Sequence, residues 1–306
     1  MGHASPLIAV VFNPTARGER AALLRRQLAL VARDSLWLPT SGPGDAVRLA
    51  REAGEAGADV LVAAGGDGTV NEVLNGICGL PPGRRPSLGV IPMGTVNVFA
   101  RELGISCRVD EAWQTVLEGR CRVMDVAAAA HRGGVRRFVQ LAGAGLDAEA
   151  IRRVRWRLKK VAGPLAYLWA GLGTVARRLP LIELDGGRHR MSAEVVMVGN
   201  GRLYGGGFAV FPDAAPDDGL LDIAAMRKAN LISLARAATA AWHGRSARLP
   251  GVQHFQAASL ELRSASTGAR FQVEGDDAGE LPVRLDVEAR ALRVLSGMSK
   301  GGAVRA

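Results

Sequence analysis

The run Asp59–Ala64 is a short, nearly continuous apolar stretch that passes straight into Gly65-Gly66-Asp67-Gly68-Thr69, after which Thr69–Ile77 has helical spacing. A run of this length and composition reads as a strand buried on both faces. Such a strand needs neighbours on either side and helices above and below it. The first 125 or so residues supply both. Leu7–Phe12 is a β-branched run ending at Asn13-Pro14, and Arg20–Arg33 has helical spacing. Ser35–Pro39 is strand-like, Gly44–Glu55 is helical, and Leu88–Ile91 is a second buried strand that ends at Pro92-Met93-Gly94. This alternation predicts a parallel sheet flanked by helices.

The pattern changes after Met124. Val123–Ala128, Phe138–Leu141, Glu194–Val198, Leu221–Ala225, Ser259–Leu262, Phe271–Val273 and Val283–Val287 are short strand candidates separated by Gly, Pro and Asp-Gly turns. They predict a mostly antiparallel β-sandwich. Helical inserts interrupt it at about Ala148–Leu179 and Leu231–His243. A chain of 306 residues accommodates two such domains. We expect an α/β domain over residues 1–125 and a β-rich domain over 126–289, with the tail 290–306 packing back on the first. No Pro/Ser-rich linker divides them, so they are expected to pack with a ligand cleft between.

The loops carry the chemistry. Glycines at 65, 66 and 68 let backbone N–H groups approach an anion without a Cβ in the way. The following helix points its positive end at the same spot. Asp67 fits there as a Mg²⁺ partner or an acid/base group; an ordinary Gly-rich turn with Asp67 as N-cap would use the same residues. The loop is neither a Walker P-loop nor a dinucleotide fingerprint. Pro92-Met93-Gly94-Thr95-Val96-Asn97 likewise follows a strand and precedes a helix, and Asn13-Pro14-Thr15-Ala16-Arg17-Gly18 follows the first strand. In a parallel sheet all three lie at the carboxyl edge, where ligands bind.

Taken in order, these residues resemble the diacylglycerol kinase / sphingosine kinase-like lipid kinase family. The resemblance continues through Gly143–Ala148, Tyr204-Gly205-Gly206-Gly207-Phe208, Pro216–Asp222 and Glu274-Gly275-Asp276, and so covers almost the whole chain. It implies an NAD kinase/diacylglycerol kinase-like N-terminal domain that binds ATP and a β domain that helps to bind lipid. It places Asn13, Pro14, Thr15, Thr40, Gly65, Gly66, Asp67, Gly68, Thr69, Val70, Asn71, Glu72, Gly94, Thr95 and Asn97 at the nucleotide. Asp218 would bind Mg²⁺ together with the carbonyls of Ala215 and Leu220. The family shows Asp-Gly-Glu where this chain has Glu-Gly-Asp. By position the resemblance makes Asp276 the general base, with Glu274 supporting it or binding metal and Asp67 a further catalytic acid. The same acids would also suit a hairpin turn. Val98 stands where many members carry another acid.

The net charge of +10 admits nucleic acid, an anionic membrane or phosphate-bearing ligands. Nucleic acid is disfavoured, because aromatics are only 5% and no helix-turn-helix pattern appears. Ile151–Lys160 sets Arg152, Arg153, Arg155, Arg157, Lys159 and Lys160 opposite an apolar stripe of Ile151, Val154, Leu158 and Val161, with Trp156 among the cations. A solvated basic helix and a peripheral contact with an anionic membrane surface explain this equally well. Val161–Ala176, broken by Gly163 and Pro164, falls short of the roughly 20 residues of a spanning helix. Three cysteines without metal spacing and no signal-peptide pattern suggest a cytoplasmic protein, peripheral on the inner face of the membrane.

The expected activity is transfer of the γ-phosphoryl group of ATP to a lipid alcohol such as diacylglycerol, a sphingoid base or phosphatidylglycerol. NAD kinase is the near alternative, and a non-catalytic lipid- or nucleotide-binding protein the alternative of another class.

Overall fold

The computed structural model describes residues 6–14, 19–145, 148, 179–204, 207–230, 233, 236, 251–264 and 268–297. The chain forms two compact units, one of residues 1–124 with 291–306 and the other of residues 125–290. The basic segment Ile151–Lys160, the apolar stretch Val161–Ala176, Thr15, Gly205 and Gly206 lie outside the described residues, as does nearly all of both helical inserts. Among the described residues no helix is long and apolar enough to cross a membrane.

The first unit runs β1 (Ile8–Phe12), α1 (Glu19–Val31), β2 (Leu36–Pro39), α2 (Asp45–Glu55), β3 (Val60–Gly65), α3 (Asp67–Cys78), β4 (Ser87–Pro92), α4 (Val98–Glu102) and α5 (Val109–Glu118). The strands lie in the order β2-β1-β3-β4, and all three pairings are parallel. Leu61, Val62, Ala63, Leu88, Val90 and Ile91 are buried, as strands covered on both faces require. On α3, Val70, Val73, Leu74 and Ile77 are buried. Their spacing places them on one face of the helix. The alternation expected from the sequence is the fold observed.

The second unit is built from β5 (Arg120–His131), β6 (Gly134–Phe138), β7 (Leu141–Gly145), β8 (Ile182–Asp185), β9 (Arg190–Ala193) and β10 (Val195–Gly199). It continues with β11 (Leu203–Tyr204), β12 (Phe208–Ala209), β13 (Leu221–Met226), β14 (Val252–Ala257), β15 (Ser259–Ser264), β16 (Arg270–Val273), β17 (Asp276–Glu280) and β18 (Val283–Ser296). One antiparallel sheet has the order β14-β13-β10-β7-β16-β17. In the other, β18, β15, β8 and β9 are consecutive, and β5 pairs with both β18 and β6. Phe138, Ala144, Ile182, Val196, Leu260 and Phe271 belong to one buried cluster fed by both sheets, which makes the unit a sandwich. Strand β18 continues beyond the Val283–Val287 run expected from sequence, and its last residues belong to the first unit. There Val294 pairs with Leu88 of β4, and Arg85 donates to Ala291 O at 2.9 Å.

The expected single strand Phe138–Leu141 is two strands. The chain leaves β6 at Phe138 and enters β7 at Leu141, and the N–H groups of Val139 and Gln140 between them go to a side chain instead of a ladder.

Candidate active site

Because β1, β2, β3 and β4 are parallel, their carboxyl ends share one edge. Phe12 is in register with Pro39 and Ala64, and Gly65 with Pro92. Asn13, Thr40, Gly65-Gly66 and Met93-Gly94 therefore emerge side by side. Thr40 is buried, and its N–H donates to Phe12 O at 2.9 Å. Asn13, Pro14, Gly68 and Thr95 are exposed on these loops.

The two Gly loops interlock through backbone. The Met93 N–H donates to Gly65 O at 2.9 Å, and a Cβ on Gly94 would stand 2.5 Å from Gly66 Cα. Asn97 closes the second loop: its Oδ1 accepts the Gly94 N–H and its Nδ2 donates to Gly94 O, both at 2.9 Å. Asn97 also has φ 54°. Asparagine tolerates this left-handed conformation and supplies donor and acceptor together; aspartate could not make the second bond. Gly65 is needed for a different contact, since a Cβ there would lie 2.3 Å from Thr69 Oγ1.

Two tests of this junction differ only in position. Gly94→Ala is expected to weaken ATP binding and to destabilise the first unit by about 1–3 kcal/mol, the usual cost of overpacking. Gly68 faces open space, so Gly68→Ala is expected to keep the wild-type melting temperature. Thermal denaturation and nucleotide titration check both. A Gly94→Ala protein as stable as wild type would show that the loops are free to separate.

The acids at this edge have unlike tasks. Gly66, not Asp67, is the N-cap of α3, with Asp67 in its first turn. The Asp67 carboxylate instead accepts the Phe99 N–H at 3.3 Å, at the start of α4. Desolvation by the surrounding loops pushes its pKa up, and the N–H groups of Phe99, Val98 and Asn97 oppose that rise. Glu72 turns elsewhere. Its Oε1 accepts the Gly44 N–H at 3.0 Å and its Oε2 the Ala46 N–H at 3.1 Å, so it caps α2 and ties the loop after Thr40 to α3. Val70 and Asn71 are buried in α3, and the Asn75 amide donates to Asn71 O at 2.8 Å.

In the second unit, Glu274 and Gly275 are the two-residue turn between β16 and β17, with Val273 opposite Asp276. Both have positive φ, 54° and 79°, as a type I′ hairpin requires. Glutamate is unusual in that place. It is held by its own N–H to Leu141 O at 2.8 Å, and by Oε1, which accepts the N–H groups of Val139 and Gln140, each at 2.9 Å. Asp276 is exposed and meets Arg136 at 3.3 Å.

The turn expected to hold metal is braced by hydrogen bonds. Asp218 Oδ1 accepts the Leu220 N–H at 2.9 Å, and the Asp218 N–H points to Ala215 O at 3.4 Å. The Gln256 amide lies between Asp218 and Asp222, at 3.4 and 3.2 Å. Burial, then the charges of Asp218 and Asp213, raise the Asp222 pKa to about 6. Among the described residues no three His, Cys, Asp or Glu side chains are grouped to hold an ion. One carboxylate, two carbonyls and a nearby surplus of negative charge nonetheless suit Mg²⁺, which completes its shell with water and phosphate oxygens.

Asp125 is absent from the expected site residues. It is buried, its Oδ2 accepts the Gly219 N–H at 2.7 Å, and its Oδ1 accepts the Arg290 N–H at 2.6 Å. It thus pins the Asp218 turn to β5. The signal was a lone acid inside the apolar strand Val123–Ala128. Gln140 and Asn200 were also passed over. They are buried, and Gln140 Oε1, Gln140 Nε2 and Asn200 Oδ1 have no hydrogen-bond partner, a state costing about 1–3 kcal/mol for each group.

Residues 7–129 match the family model described as the diacylglycerol kinase catalytic domain, and residues 140–296 match the YegS C-terminal NAD kinase beta sandwich-like domain. A diacylglycerol kinase of Staphylococcus saprophyticus is 33% identical over 283 residues, covering 89% of this chain and 90% of that one. One from Staphylococcus aureus strain JH9 is 34% identical over 283 residues, covering 89% and 87%. The crystal structure of a diacylglycerol kinase from Bacillus anthracis superposes with a TM-score of 0.78 at 25% identity, covering 98% of this chain and 99% of that one. Yeast NADH kinase complexed with NADH superposes with a TM-score of 0.53 at 10% identity, covering 96% and 84%, a likeness of fold alone.

Proposed function

This chain belongs to the diacylglycerol kinase family, phosphotransferases with an alcohol group as acceptor, and on that footing we propose that it transfers the γ-phosphoryl group of ATP directly to the hydroxyl of a membrane lipid. The observation that carries the reading is the junction of Gly66 and Gly94 at the carboxyl edge of four parallel strands. It presents backbone N–H groups and the N-terminus of α3, a setting that suits the phosphates of a nucleotide. Thr40, Gly68, Thr69 and Thr95 line the same edge, Asn13 and Pro14 follow the neighbouring strand β1, and Thr15 comes next in sequence. Glu72 and Asn97 act there by shaping the loops.

Mg²⁺ would be held by Asp218 with the carbonyls of Ala215 and Leu220, and when bound it would neutralise charge on the phosphates. Asp125 keeps that turn in place. For the acceptor's proton, the geometry supports Glu274 over Asp276, the residue expected from the order of the acids. Glu274 is held by its own N–H to Leu141 O and by the N–H groups of Val139 and Gln140 on Oε1, whereas Asp276 is exposed beside Arg136. A base must be positioned first and basic second. The acceptor class is diacylglycerol, a sphingoid base or phosphatidylglycerol, with action at an anionic membrane surface.

Incubation with γ-labelled ATP and a lipid extract is expected to place label in lipid. If no lipid is labelled, the kinase reading fails and a lipid- or nucleotide-binding protein on the same fold takes its place. Label in NAD instead would support the NAD kinase alternative.

A further inference from the structure

Gln140 stands one hydrogen bond from Glu274, through its backbone N–H. Its carbonyl accepts the N–H of Asn200 at 2.9 Å and of Gly201 at 3.3 Å. Its side chain, 3% exposed, has neither a donor for Oε1 nor an acceptor for Nε2. Asn200, 1% exposed, is half committed. Its Nδ2 donates to Asp125 O at 3.2 Å and Val139 O at 3.3 Å. Those two carbonyls fix the orientation of the amide and leave Oδ1 as an acceptor without a donor. One amide donor and two acceptors, all uncharged, thus remain uncommitted beside the candidate base.

The surroundings accommodate the amide. A Cβ on Gly201 would stand 2.3 Å from Gln140 Oε1, so the glycine makes room for it. Next along the chain, Leu141 belongs to an apolar cluster with Phe211, Ala214 and Ala224, against which Tyr204 and Val210 pack. A few placed polar groups beside an apolar wall are the pattern of a site that orients an amphipathic molecule. Buried amides without partners are rare in folded proteins and mark a place for bound water or ligand.

We infer that Gln140 and Asn200 are the headgroup subsite for the acceptor: Gln140 Nε2 donates to the uncharged oxygen group next to the hydroxyl that is phosphorylated, and Gln140 Oε1 and Asn200 Oδ1 accept from hydroxyl groups of the headgroup or its water. The inference rests on the kinase reading above. Its ligand class is a neutral acylglycerol headgroup. A carboxamide N–H donates to a hydroxyl or ester oxygen and a carboxamide oxygen accepts from a hydroxyl, and neither supplies a countercharge for the ammonium of a sphingoid base or the phosphate of phosphatidylglycerol.

The test uses the full chain, labelled ATP and mixed micelles holding 1,2-didecanoylglycerol, 1-dodecanol, sphingosine or phosphatidylglycerol, with free glycerol as a soluble control. Wild type is expected to prefer didecanoylglycerol to dodecanol, which lacks the neighbouring oxygen. Gln140→Leu and Gln140→Met are expected to raise the KM for didecanoylglycerol about 10-fold or more and to erase the preference. The KM for ATP should not change, and the melting temperature should hold or rise, since an apolar side chain replaces an unpaired amide. An unchanged lipid KM in both variants overturns the subsite and leaves the amide to buried water. If neither variant folds, equal use of didecanoylglycerol and dodecanol by wild type overturns it alone. Preference for sphingosine or phosphatidylglycerol overturns the neutral headgroup, and labelling of glycerol as efficient as that of the lipid reassigns the node to a soluble polyol. If wild type labels no acceptor, the kinase reading itself has failed, which is a separate outcome.

Discussion

Glu274→Gln is expected to lower phosphoryl transfer about 10²–10⁴-fold, the range for losing a positioned general base, while the KM for ATP stays near the wild-type value. Glutamine keeps an oxygen at the Oε1 position, so the N–H groups of Val139 and Gln140 retain their acceptor and the turn its anchor. The carboxylate's charge and its ability to take a proton are removed. Asp276→Asn, on an exposed group tied to Arg136, is expected to cost about tenfold or less, as for one exposed polar contact. Steady-state kinetics with a fixed lipid acceptor measure both. The opposite ranking, with Asp276→Asn inactive and Glu274→Gln active, would return the base to the position that the family's order of acids indicates.

Asp67→Asn is the second large effect, and its sign should differ between activity and stability. Activity is expected to fall about 10²–10⁴-fold, the range for losing a positioned group that handles a proton or a metal at the phosphates. Stability should not fall. Burial raises the folded-state pKa of Asp67 above the ordinary aspartate value of 3.8. A group raised in this way contributes stability that is fully present below the unfolded value and lost as pH rises through the folded one. At neutral pH the ionised carboxylate is therefore a net cost that asparagine removes, while its oxygen still accepts the Phe99 N–H. The variant should melt about 2 °C or more above wild type at pH 7, with the gain shrinking as pH falls towards 4. Thermal melts at several pH values beside an activity assay provide the check. A variant that loses stability and activity together would reduce Asp67 to an anchor for α4.

The parallel sheet and its loops were legible because their signals are local. Val60–Ala64 is apolar enough for both faces to be covered, and Gly65-Gly66 ends the strand where the backbone must approach Thr69 and Gly94. The sandwich was legible in outline from short strands and turn residues. What could not be read was the break between β6 and β7. Phe138-Val139-Gln140-Leu141 is one uninterrupted run by composition, and it is divided by a carboxylate 134 residues further on. Strands β8, β9, β14 and β17 were missed for a related reason. They are short or half-exposed, and pairing with neighbours makes them strands.

The acids divide along the same line. Which residues are acidic, and that they lie in turns beside buried strands, followed from residue type and spacing. Where each carboxylate goes did not: Asp67 to the start of α4, Glu72 to the start of α2, Asp125 to Gly219 and Arg290, Glu274 to Val139 and Gln140. Hydrophobic periodicity acts between residues a few positions apart, so a window of sequence contains it. The partner of a buried carboxylate is a backbone N–H, which every residue but proline carries, so only the folded chain selects which one it meets.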